Sequence, residues 1–152
     1  MYDFIDRPVT RLGKGGRFTI WAMRSWVQAV NAKTCPSAAI GPAFMKSGVI
    51  EALPHFNMAM MLLNHHAIEP LRFAPLGCAR IREGEALMLH MFKGLGDASP
   101  ERTGETLKLM IEEIAFTSLF TALTAVAFRL AEAGLLPEAP VIQGLPAGNN
   151  ER

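Results

Sequence analysis

The 152-residue sequence predicts an all-α fold, an irregular bundle of four or five helices around a long central C-terminal helix. Three observations carry that expectation. Apolar residues recur at helix-face spacing in the first half, prolines and capping residues open later segments, and the uncharged run IAFTSLFTALTAVAF reads as a buried helix. Half of the residues are hydrophobic and 19 % are charged, which argues for one packed domain and against disorder.

Residues 1–16 read as an irregular N-terminal arm, because Pro8, Gly13, Gly15 and Gly16 interrupt any period. A single helical domain is then expected over 17–136. Its first helix spans 17–33, with Ile20, Met23, Val27 and Val30 on one face and Arg17, Arg24, Gln28 and Asn31 on a polar side. Cys35-Pro36 ends it, since the residue before proline avoids helical geometry. Residues 38–50 stay ambiguous, helical in composition but broken by Gly41-Pro42 and Gly48. Pro54 fits the first turn of a helix over 53–66.

The next helix starts near Glu83, where Glu83 and Glu85 complement the positive end of the helix dipole, and stops at the glycines of KGLG. Ser99-Pro100-Glu101 is a start signal for what reads as one helix over 100–133. Phe116, Phe120, Leu123, Ala127 and Leu130 form its large apolar side, with Phe120 and Leu123 expected in the core. Thr117, Ser118, Thr121, Ala122, Thr124 and Ala125 form a side of small residues that permits close helix approach. Residues 137–152 read as an irregular or disordered tail. There is no internal repeat and no sustained heptad.

The formal charge of +1 hides a polarity. Residues 1–50 carry seven Lys/Arg against Asp3 and Asp6, or +5, and residues 51–152 carry eight against twelve acids, or −4. Neither half is basic enough to predict nucleic-acid binding. The N-terminus has acids and Pro8 where a secretory signal needs a basic start and an apolar run, so a cytoplasmic location is expected. Cys35 and Cys78 are the only cysteines, and free, buried thiols are the expectation. Residues 114–128 fall short of the roughly 20 apolar residues that cross a bilayer, so no membrane is expected.

Between two of the apolar segments lies LLNHHAIEPLRFAPLGCARI, residues 62–81, in which Pro70, Pro75 and Gly77 forbid a continuous helix. It reads first as a connection. A metal site would draw on His55, His65, His66, His90, Cys78, Glu51 and Glu69. Yet His65 and His66 diverge by roughly 100° on a helix, and no HExxH or CxxC spacing occurs. Met58 with Met61 and Met88 with Met91 suit Cu(I) chemically, but a methionine stripe at helical spacing reads as adaptable core packing. Cys78, between Gly77 and Arg80, is the candidate catalytic nucleophile, because nearby guanidinium groups lower a thiol pKa. The glycines after Leu12 lack the GxxxxGK[ST] pattern of a phosphate loop, and adjacent Glu112 and Glu113 face different ways on a helix. No metal and no cofactor is therefore predicted.

The run FMKSGVIEALPHFNMAMMLLNHHAIEPLRFAPLGCARIREGEALMLHMF resembles a small, uncharacterised bacterial helical family of unknown function: a proline-started helix, a turn with an APxxC pattern, and an acid-led helix. That family's turn is often richer in cysteine, whereas Leu76 and Gly77 precede Cys78 here. The resemblance implies a helical fold and no particular activity. The expected function is a cytoplasmic interaction module that forms a homodimer. The alternative is a small-molecule, metal or thiol-dependent enzyme using the Cys78 turn with His65, His66 or His90.

Overall fold

The computed structural model describes residues 3–97 and 99–138. Among them are six α-helices and no strand: α1 (Lys14–Asn31), α2 (Pro36–Lys46), α3 (Leu53–His66), α4 (Glu83–Gly96), α5 (Pro100–Lys108) and α6 (Glu113–Glu132). The all-α bundle is as expected, with α6 at its centre, packed chiefly on α3 and α4. The residues expected to form the tail lie outside the described residues from 139 onward.

Proline at the first helical turn opens α2, α3 and α5, where a missing N–H costs nothing. Three helices stop by one device. Lys33, Gly48 and Gly134 take positive φ just past α1, α2 and α6, and the next residue donates back across the last turn: Thr34 to Ala29, Val49 to Phe44, Leu135 to Leu130. The first helix thus ends at a left-handed residue, ahead of Cys35-Pro36. The ambiguous residues 38–50 resolve into α2, which carries Pro42 within it, followed by a 3-10 turn at Ile50–Ala52.

The expected arm contains the start of α1 and is not free. Asp6 donates to Ile81, Ile81 to Arg7 and Val9 to Ala79, at 2.8–2.9 Å, while Phe4 is fully buried. Gly15 lies inside α1 with its Cα against the Leu135 backbone, leaving no room for a side chain. The glycine-rich lead-in is a packing surface between the two ends of the domain.

The single helix expected over 100–133 is broken, which raises the number of helices to six. Residues 110–112 leave the helical path to pair with 66–68: Ile68 N–H donates to Met110 at 2.8 Å and Glu112 N–H to His66 at 2.9 Å. Ile111 is buried at the bend. No glycine or proline marks it; the competing partner is a distant strand-like segment, so local pattern alone favours continuation.

Candidate functional site

The connection of residues 67–82 is organised around one buried ion pair. Arg24 on α1 and Glu85 on α4 are 3 % and 0 % exposed. Arg24 Nε donates to Glu85 Oε2 at 2.6 Å and Nη2 to Oε1 at 2.9 Å, a bidentate pair. The rest of the guanidinium captures the connection, Nη1 donating to the Cys78 carbonyl at 2.7 Å and Nη2 to that of Arg80 at 3.0 Å. Glu85 in turn accepts from the N–H groups of Ala74 at 3.1 Å and Arg82 at 2.9 Å. Hydrogen bonding to Glu85 holds the Arg24 pKa above its ordinary value, against the cost of burial. No buried side-chain polar atom among the described residues is left without a partner.

The sequence reading places Arg24 on a polar side of its helix, whereas the structure buries it against Glu85. The signal was present. Ile20, Met23, Arg24 and Val27 share one i, i+3, i+4, i+7 register, as do Glu85, Met88, Leu89 and Phe92, so each charge occupies a core position. A charge in such a register requires an opposite partner.

Neither free thiol is buried as expected: Cys35 is exposed beyond the end of α1, and Cys78 is half-buried in the connection, its Sγ 3.5 Å from the Arg80 carbonyl oxygen. Hydrogen bonding from the Arg80 backbone to the sulfur, then the Arg82 and Arg24 guanidiniums, hold its pKa below the ordinary value, while desolvation opposes them. No histidine takes part. His65 and His90 are exposed on α3 and α4, and His66 Nδ1 lies 3.4 Å from Glu112 Oε1 beside the α5–α6 bend. Desolvation lowers the His90 pKa. Met58 and Met61 face solvent, whereas Met88 and Met91 are buried in the core, so the two sulfur pairs do not share a site. Among the described residues no three His, Cys, Asp or Glu side chains gather as metal ligands.

A groove of about 760 Å³ runs between the 68–75 connection, the start of α4 and the α5–α6 bend. Arg72 and Arg82 line it together with Glu69 and Glu83, so its charge selects neither an anion nor a cation.

The most distinctive surface belongs to α6. Its buried face is Ala115, Leu119, Ala122, Leu123, Val126, Ala127 and Leu130, which places Ala122 in the core rather than on the outer side. Phe120, expected in the core, is half-buried, as is Phe116, and the two stack with ring centres 5.7 Å apart. Phe120 packs over Gly104 of α5, which the bend folds back beside it. The outer face carries Ile114 at 83 % exposure and Phe128 at 58 %, with exposed Thr117, Ser118, Thr121 and Thr124 between them. By length and composition α6 is also the one described helix apolar enough to cross a membrane, and its inner face packs within the bundle. No family model matches this sequence, and no curated protein or solved structure matches it.

Proposed function

We propose that this protein is a cytoplasmic, self-associating helical interaction module that docks through the outer face of α6. The observation that carries the reading is the outer face of α6 between exposed Ile114 and exposed Phe128, a fifteen-residue span that bears no charge. Helix faces that meet only water ordinarily carry charged side chains. Here two large apolar residues flank hydroxyl-bearing and small ones, a surface that excludes water best against another helix. The free thiols of Cys35 and Cys78 fit a reducing compartment.

Light scattering is expected to give a mass near twice the 16.6 kDa of the chain at high micromolar concentration. Thr121→Arg, at an exposed position, is expected to return the monomer mass with an unchanged helical circular dichroism spectrum. A wild-type monomer at that concentration removes the proposal.

The thiol-dependent reading retains one supporting observation, the lowered pKa of Cys78. The groups that act on that thiol are arginines and backbone, with no imidazole placed to serve as its base.

A further inference from the structure

Resting on that reading of α6, we infer that two copies pair antiparallel across a two-fold axis passing beside Thr121. In such a pairing, residues equally far before and after the axis face each other, and the same patch serves both copies. About Thr121 the outer-face residues, all exposed except the half-buried Ala125 and Arg129, match from the centre outward. Ser118 meets the second copy's Thr124, Thr117 meets Ala125, Ile114 meets Phe128, and Glu113 meets Arg129.

Each match has a physical basis. The centre holds only hydroxyl and small side chains, which lets the backbones approach most closely there. Thr124 Oγ1 already bonds the Phe120 carbonyl at 2.7 Å, but the hydroxyls of Thr117, Ser118 and Thr121 have no partner among the described residues. Thr121 at the axis and Ser118 opposite Thr124 supply partners across the interface. At the ends, the two most exposed apolar side chains of α6 cover each other, about 21 Å apart along the helix.

Direction follows from charge. Antiparallel helices set opposite dipole ends together, whereas a parallel pair aligns like ends. Glu113, which forms no ion pair among the described residues, then reaches Arg129, which holds Glu51 at 2.8 Å and Glu132 at 3.3 Å at the surface. An exposed exchange of carboxylates around Arg129 sets orientation more than strength.

The test uses the full chain with Cys35→Ser and Cys78→Ser, single cysteines on α6, diamide as oxidant, and light scattering in parallel. Thr121→Cys is expected to form a covalent dimer. Ile114→Cys is expected not to link to itself, but to link when mixed with Phe128→Cys. Self-linking of Ile114→Cys in a protein of dimer mass means a parallel pair and overturns the inference while the self-association reading stands. A dimer mass with no cysteine link overturns α6 as the interface. A monomer mass for both wild type and background overturns the proposed function itself.

Discussion

Arg24 and Glu85 occupy helix positions that their neighbours reserve for apolar side chains, and neither is tolerable there without the other. Their attraction alone does not stabilise the fold strongly, since taking two charges out of water costs several kcal/mol per ion. Removing one partner is different, because the other is left buried and unpaired. Glu85→Ala is expected to destabilise the protein by about 3–5 kcal/mol in urea unfolding, and the paired change Arg24→Met with Glu85→Leu by less than that single change. A cost for Glu85→Ala under about 1 kcal/mol would mean that the pair does not anchor the connection. The same guanidinium that neutralises Glu85 holds the carbonyls of Cys78 and Arg80, so the backbone around the thiol loses its anchor in any Arg24 variant.

At the scale of elements, the bend between α5 and α6 decides which phenylalanines are core. A continuous helix would carry α5 away from the bundle; the pairing of 110–112 with 66–68 turns it back, where Gly104 receives the Phe120 ring. Burial of Phe120 is therefore partial and rests on α5, whereas Leu123 is wholly enclosed. Leu123→Ala is expected to cost about 2–5 kcal/mol, through lost transfer energy plus a cavity. Phe120→Ala should cost less, about 1–2 kcal/mol, since part of the ring already meets water and less transfer energy is lost. Chemical denaturation of the two variants checks the order, and the reverse order would place the core on the wrong side of α6.

For the whole molecule, association adds a stability term that depends on concentration, because anything that binds the folded chain and not the unfolded one stabilises it by mass action. The thermal midpoint is expected to rise between low and high micromolar protein, and Thr121→Arg to abolish that rise. Differential scanning calorimetry at several concentrations measures it, and a midpoint that does not move would argue for a monomer. The segment 62–81 also shows how the molecule is tied together. The N-terminal arm pairs with 79–81, the α5–α6 bend with 66–68, and Arg24 with Glu85 clamps what lies between.

What the sequence by itself determined is local. Prolines at helix starts, acids in first turns and apolar residues at helical spacing specify α1, α3 and α4 to within a few residues, because each signal acts on the backbone within a turn of itself. Pro70, Pro75 and Gly77 likewise suffice to make 67–82 a connection. Only the tertiary structure decided the rest, because the deciding partners lie far away in the chain. Arg24 and Glu85 are 61 residues apart, so register could mark both as misplaced charges without naming either one's partner. The split of α5 from α6 has no local mark, since it trades helical hydrogen bonds for equivalent ones to residues 66–68. The outer face of α6 looks in sequence like any buried helix face, and only packing on α3 and α4 determines which side remains in water.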